Sequence, residues 1–159
     1  MVIPMRFVLL CLLLSAAAPA RAGEAEFVRI WPAWRDAESF ERISEYFSGR
    51  ENSSGQIVLR TAPETRAGFY FFARVKSTAP LAAARFELTV IRPDSPDPQT
   101  FSFPTALPAK EALFQLGLTG AAWPGGKKAA PVAWRLALLA GDGHLLAEQK
   151  SFLWEKPAK

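Results

Sequence analysis

The connection TGAAWPGGKKAAPVAW, residues 119 to 134, contains side chains that could bind a ligand. An indole can stack on a sugar ring, and the ammonium group of a lysine can bind a carboxylate or a phosphate. The candidate binding residues are therefore Trp123, Lys127 and Lys128. The alternative, which we favour, is structural: Trp123 folds back to cover the end of the domain, and the two lysines stay in water.

Part of this stretch, from Gly120 to Lys127, has some features of a phosphate-binding loop, but the spacing differs from that motif. A second glycine, Gly126, stands before Lys127, and neither serine nor threonine follows the lysines to hold magnesium. The stretch also runs through Pro131 into a predicted strand, whereas a phosphate-binding loop opens a helix. We therefore expect no nucleotide binding here.

Side chains that usually carry catalysis are scarce. His144 is the single histidine, which excludes a zinc site built from several histidines, and no G-x-S-x-G motif supplies a serine nucleophile for it. Asp94 and Asp97 lack the alternating oxygen ligands of a calcium loop. The sequence predicts a protein that is not an enzyme, with no catalytic residue, no metal site and no cofactor. A small hydrolase whose acids meet only in space is the least favoured alternative.

Residues 1 to 22 have the pattern of an export signal. Arg6 ends a short positive segment, and residues 7 to 18 are apolar apart from Ser15. This apolar run is well short of the roughly 20 residues that span a bilayer as a helix. The small residues that follow it predict cleavage after Ala22 and no membrane span afterwards. The expected destination is the periplasm or the extracellular medium.

Cleavage would also change the chemistry of the chain. Cys11, the only cysteine, would leave with the signal, and a cysteine-free exported chain is typical of a bacterial envelope. Loss of Arg6 and Arg21 reduces the basic side chains from 19 to 17, against 15 acidic ones. A net charge of only +2 gives no reason to expect a nucleic acid partner.

Residues 23 to 159 have the length of one domain and mostly follow the period-two pattern of β-strands. Phe86, Leu88 and Val90, for example, fall on one face of a strand. Residues 68 to 75 are apolar on both faces at their start, which is typical of a central strand. About eight strands are predicted, over residues 26–31, 56–61, 68–75, 84–91, 99–103, 113–118, 132–139 and 144–154.

The connections between these strands are short and rich in turn residues, which favours an antiparallel arrangement. Asp142 and Gly143 form a hairpin signal, so residues 131 to 140 should pair with 144 to 154. The stretch RPDSPDPQ contains three prolines that cannot donate ladder hydrogen bonds. It is predicted to be a stiff loop or a crossing between sheets.

One segment departs from the strand pattern and predicts a surface helix over about residues 36 to 48. Phe40, Ile43 and Phe47 share one helical face, and Asp36 is placed to cap the first turn through its side chain. Just before it, Trp31 and Trp34 are expected either to pack beneath the helix or to form an exposed patch.

The stretches WPAWRDAESFERISEYFSG, LGLTGAAWP and AWRLALLAGDGHLLAEQKSFLW resemble those of uncharacterised small exported bacterial proteins. The strand content is similar to that of immunoglobulin-like sandwiches, without their cysteine pair and with an added helix. The resemblance implies architecture and transfers no catalytic residue.

These observations predict an antiparallel immunoglobulin-like β-sandwich of about eight strands with one short surface helix. The expected function is that of a non-enzymatic binding or accessory module of the bacterial cell envelope, with a protein or glycan of the envelope as its partner. The alternative is a glycan- or polyanion-binding module that uses residues 119 to 131.

Overall fold

The computed structural model describes residues 24–41 and 55–155. The predicted export signal and the later part of the predicted helix lie outside these described residues. The strands are β1 (Ala25–Arg35), β2 (Ile57–Arg60), β3 (Gly68–Ser77), β4 (Leu81–Arg92), β5 (Ser95–Leu107), β6 (Lys110–Thr119), β7 (Ala133–Ala140) and β8 (Leu145–Lys150). One α-helical turn, α1 (Phe152–Glu155), follows β8.

The eight strands form two sheets that pack face to face. Sheet A has the order β1-β3-β6-β2, and sheet B has the order β5-β4-β7-β8. The edge strands β1 and β8 also contact each other. The prediction of a mainly β, sandwich-like architecture with about eight strands is confirmed.

Strand β2 corrects the expectation of a fully antiparallel fold, because it pairs with β6 in the parallel direction. The chain leaves β2 and crosses the end of β6 before it enters β3 on the other side. The buried Thr119 holds the segment after β2 in place. Its hydroxyl accepts from the Ala62 amide at 2.9 Å and donates to the Ala62 carbonyl at 3.0 Å. The Thr119 amide donates to the Thr61 hydroxyl at 2.8 Å.

The main core lies between the sheets and follows the predicted alternation. Phe86 from sheet B and Phe114 from sheet A meet with ring centroids 4.9 Å apart. Six inward-facing side chains of β4 and β6 are wholly buried: Phe86, Leu88, Val90, Phe114, Leu116 and Leu118. Strand β3 is buried on both faces from Gly68 to Ala73, which confirms the prediction of a central strand.

The hairpin predicted around Asp142 and Gly143 is present between β7 and β8. Gly143 has φ +91°, a conformation that glycine adopts without strain. Strand β8 ends at Lys150, earlier than predicted, because the chain turns into α1. Val132, the first residue of the seventh predicted strand, precedes β7 and is exposed.

The proline-rich stretch is not a crossing between sheets, and within it only Pro93 and Asp94 form a turn. Strands β4 and β5 form a hairpin in which Arg92 pairs with Ser95, and Pro96 and Pro98 lie inside β5. Prolines are tolerated there because β5 is an edge strand of sheet B, where alternate amides need no ladder partner. The register shift between Val90 and Arg92 absorbs the extra residues of β5.

The described part of the predicted helix is a 3₁₀ turn, Ala37–Phe40, and Glu41 beyond it has extended backbone. The side-chain cap predicted at Asp36 is wrong, because this carboxylate makes no hydrogen bond to the turn. Instead it accepts from the Trp34 indole at 2.8 Å and from the Lys127 ammonium at 3.0 Å. Residues 42 to 48 lie outside the described residues.

Gly117 allows an aromatic ring to lie flat on the outer side of sheet A. A Cβ atom at Gly117 would stand 2.5 Å from the ring of Tyr70, its partner residue across the β3–β6 pair. Tyr70 is wholly buried, so its ring has little room to move away. The absence of a side chain at position 117 is therefore a packing requirement.

We expect Gly117→Ala to lower the free energy of unfolding by about 1–3 kcal/mol through overpacking against Tyr70. At a site with room, the same change would stabilise by about 0.4–1 kcal/mol through the unfolded chain. Urea denaturation measures the difference, and a Tyr70→Ala background should remove most of the cost. An equal cost in both backgrounds would contradict the packing explanation.

Candidate functional site

The loop of residues 119 to 131 holds the first candidate site, and Trp123 in it is buried. The indole is 5% exposed and packs on Phe69 with ring centroids 4.7 Å apart. Its Nε1 donates to the Gly126 carbonyl at 3.1 Å, which satisfies the one polar atom of the side chain. A buried ring has no free face on which a sugar could stack. Trp123 thus takes the structural position that the sequence favoured.

Two further contacts tie this loop to the sandwich. The Lys127 ammonium donates to Asp36 beyond the end of β1, and an Arg92 guanidinium nitrogen donates to the Ala122 carbonyl at 3.0 Å. Hydrogen bonds from the Trp34 indole and then from Lys127 hold the pKa of Asp36 below its ordinary value. Within residues 24–41 and 55–155, Lys128 is the one predicted binding residue that lies in solvent without an ion pair.

We expect Trp123→Ala to lower the free energy of unfolding by about 3–5 kcal/mol, as for other large aromatic residues removed from a core. Lys128→Ala should leave the free energy of unfolding unchanged, because its side chain is exposed. Chemical denaturation of both variants measures this contrast. A near-neutral Trp123→Ala variant would contradict the structural assignment.

A second aromatic cluster lies on the outer face of sheet A. Phe40, Tyr70 and Phe72 are buried there, with Trp31, Ala33, Val58 and Leu113 packed around them. Trp31 of β1 stacks on Phe72 of β3 with ring centroids 5.4 Å apart and ring planes 8° apart. Trp31 therefore belongs to the outer face, whereas Trp34 packs against the main core.

Arginine side chains lie over these rings. The guanidinium carbons of Arg29 and Arg74 are 5.1 Å and 5.9 Å from the Trp31 ring centroid. Those of Arg35 and Arg60 are 4.6 Å and 4.8 Å from the Phe40 ring centroid. Distances within about 6 Å are those of cation–π attraction. The outer face of sheet A thus combines aromatic rings with four guanidinium groups.

The two ends of this face differ in their accessibility. At one end Arg60 donates to the Tyr70 hydroxyl at 2.7 Å, and Arg35 donates to Ser39, so these arginines serve the fold. At the other end Arg29 is exposed, and Arg74 is half-exposed. We call Arg29, Trp31 and Arg74 the arginine–tryptophan patch.

The outer face of sheet B has a different composition. Its polar side chains pair with each other. The Thr89 and Thr100 hydroxyls are hydrogen-bonded at 2.9 Å, and Arg85 forms an ion pair with Glu87 at 3.0 Å. Arg135 likewise pairs with Glu148 across the β7–β8 hairpin. Such a face of partly exposed ion pairs is typical of a solvated surface.

Sequence reasoning identified part of the patch. It singled out Trp31, with packing and exposure as the two alternatives. It missed the pairing of Arg29 with Arg74, because this contact depends on which strands are neighbours and on the register shift between Phe27 and Arg29. The local signal was the i, i+2 spacing of Arg29 from Trp31 and of Arg74 from Phe72.

His144 lies in a small ionic cluster at the β7–β8 turn. Its Nδ1 is 2.5 Å from Asp142 Oδ1, and its Nε2 is 3.4 Å from Glu24 Oε2 just before β1. The hydrogen bond to Asp142 is the main reason why the pKa of His144 is raised above its ordinary value of 6.5. Hydrogen bonds from the His144 backbone and ring hold the pKa of Asp142 below 3.8.

The raised pKa of His144 predicts a pH-dependent contribution to stability. This contribution is complete below pH 6.5, the ordinary value, and is lost as the pH rises through the raised pKa. The amount by which His144→Gln lowers the Tm should therefore be larger at about pH 5.5 than at about pH 9. Thermal melts across this range measure it, and a difference independent of pH would refute the ionic assignment.

No protein-family model matches the sequence, and no curated protein matches it. Among the residues that the structure describes, no group of three or more histidine, cysteine or acidic side chains is placed to hold a metal ion. In residues 24–41 and 55–155, no helix is long and apolar enough to cross a membrane. The candidate site therefore depends on the chemistry of the described side chains.

Proposed function

We propose that this chain is exported to the bacterial cell envelope, periplasmic or extracellular, and acts there as a non-enzymatic binding or accessory module. Its binding surface is the outer face of sheet A. The export signal pattern of residues 1 to 22 supports the destination. As part of the same proposal, the two packed four-stranded sheets are an immunoglobulin-like sandwich in which β2 departs from the antiparallel pattern.

The asymmetry between the two outer faces carries this proposal. Both outer faces carry paired charges, but only that of sheet A also has arginine side chains placed over aromatic rings among the described residues. Arginine and tryptophan are enriched among the residues that dominate binding energy at interfaces. A solvated outer face needs no aromatic rings beneath its cations, so a recognition role explains this composition better.

The alternatives have less support from the geometry. In the loop of residues 119 to 131 Trp123 is buried, so the loop presents exposed lysines but no aromatic surface on which a glycan could stack. For a small hydrolase, the carboxylates of Glu24 and Asp142 converge on His144, whose side chain is 41% exposed. Water is not excluded from such a site, as efficient acid–base catalysis would require.

The sheet edges also favour a face over an edge as the binding surface. Strand β5 carries prolines, β2 has four residues, β1 has both a register shift and Pro32, and β8 is in contact with β1. Each of these features hinders the addition of another strand. Binding of a partner to the outer face of sheet A is therefore favoured over strand addition at an edge.

We expect an envelope component to be retained by the wild-type protein and lost by the Arg29→Ser/Trp31→Ser variant. The measurement is affinity capture from envelope extract, with the full-length gene product purified from its own envelope fraction. The same component must be retained by the sheet B control, Arg85→Ser/Arg135→Ser, because that face contributes no contacts.

A third variant, Lys127→Ala/Lys128→Ala, separates the two candidate surfaces. Unchanged retention by this variant supports the face of sheet A, whereas loss of retention supports the loop of residues 119 to 131. Equal retention by the wild type and the Arg29→Ser/Trp31→Ser variant would overturn the proposed binding surface. Matched thermal melts of all variants confirm that each is folded.

A further inference from the structure

Two like charges face each other at the end of sheet A that carries the arginine–tryptophan patch. Arg29 and Arg74 are directly paired across β1 and β3, which places their Cβ atoms about 4.5–5.5 Å apart. Like charges in directly opposed positions destabilise a strand pair. Arg29 has no carboxylate partner among the described residues. An anion bound between the two guanidinium groups would remove this repulsion.

The surrounding side chains hold these guanidinium groups in place. Both stand over the ring of Trp31, which is itself stacked on the buried Phe72. A guanidinium held by an aromatic ring loses less freedom when it binds, and its planar fork matches a carboxylate in two-point contact. Arg74 also contacts Glu111 at 3.3 Å, but both side chains are about half-exposed, so this pair is weak and a ligand can displace it.

A small depression lies at the same end of sheet A. It has a volume of about 180 Å³ and is lined by Ala25, Glu26, Lys76 and Thr78. Lys76 is two residues from Arg74 on the same face of β3, which is about 7 Å along the strand. The depression is smaller than the usual site of a cofactor or drug-sized ligand. Its lining includes Glu26 and Lys76, the pair of facing residues next to Arg29 and Arg74 on this side of the sheet. These two side chains form an ion pair at 3.9 Å that is more than half-exposed and therefore weak. One ring of a ligand whose carboxylate lies between the arginines reaches this depression.

We propose that the arginine–tryptophan patch binds an acidic polysaccharide, with a uronate carboxylate between Arg29 and Arg74 and its sugar ring extending toward the depression beside Lys76. This inference rests on the proposed function, since it names the ligand class of the same face.

The composition of this end of sheet A favours a glycan over a protein or a membrane. Protein interfaces are depleted in lysine and glutamate, such as the Lys76 and Glu111 that border this patch, and a surface that lies in a membrane buries apolar side chains. The large exposed apolar residues of the described chain are Val28, Val132, Leu145, Phe152 and Leu153. Four of them belong to the β7–β8 region, and the fifth lies in the register shift of β1. A hydrated, charged chain therefore fits the patch better.

The test is calorimetric titration of the full-length gene product with galacturonic acid oligomers. We expect binding by the wild type, and an affinity reduced at least about tenfold in Arg29→Ser/Arg74→Ser, the effect of losing a charge-assisted contact. The control Arg85→Ser/Arg135→Ser removes the same charge from sheet B and should keep its affinity. Galactose oligomers, which lack the carboxylate, should bind neither protein.

Several outcomes would overturn the inference. The first is that the wild type does not bind galacturonic acid oligomers, and the second is that the two double variants lose the same affinity for them. The others are that galactose oligomers bind as tightly as galacturonic acid oligomers, or that phosphatidylglycerol vesicles bind more tightly. The envelope capture experiment separates this failure from that of the proposed function. If capture depends on the face of sheet A but galacturonic acid oligomers do not bind, the ligand class is wrong and the binding surface stands.

Discussion

The burial of strand β3 on both faces is the constraint on which the structure depends. One face of β3 supplies Phe69 and Phe71 to the core between the sheets, and the other supplies Tyr70 and Phe72 to the outer cluster. A sheet that covers only one core can leave its second face to water. Here the second face has its own apolar cluster, so sheet A must carry side chains that cover or border those rings.

Arginine meets that requirement without leaving the surface apolar. Its guanidinium group stays hydrated at the edge of an aromatic ring while its stem covers part of the ring. Arg60 and Arg35 are committed to this task near Tyr70, where their nitrogens donate to Tyr70 and Ser39. At the other end of the face Arg29 is exposed and Arg74 forms only a half-exposed ion pair with Glu111. The same arrangement of arginine over an aromatic ring therefore contributes to the fold at one end of the face and lies at the surface at the other.

The long connection before β7 illustrates the opposite outcome. Trp123, the most conspicuous candidate binding residue of the sequence, packs on Phe69 and covers the end of the sandwich. Lys127 is bound to Asp36, which in turn accepts from Trp34. Residue type alone does not show whether a tryptophan is buried or exposed for binding, because an indole can serve as a core residue or as a binding surface.

The alternation of apolar residues by itself determined the strands and the inward faces of β4 and β6, because that pattern is local and has period two. The β7–β8 hairpin was equally accessible, since Asp142 and Gly143 specify a tight turn. The position of β5 at a sheet edge, which admits its prolines, and the parallel pairing of β2 with β6 were decided only by the tertiary structure. So was the apposition of Arg29 with Arg74, because strand order and register depend on contacts between residues far apart in the chain.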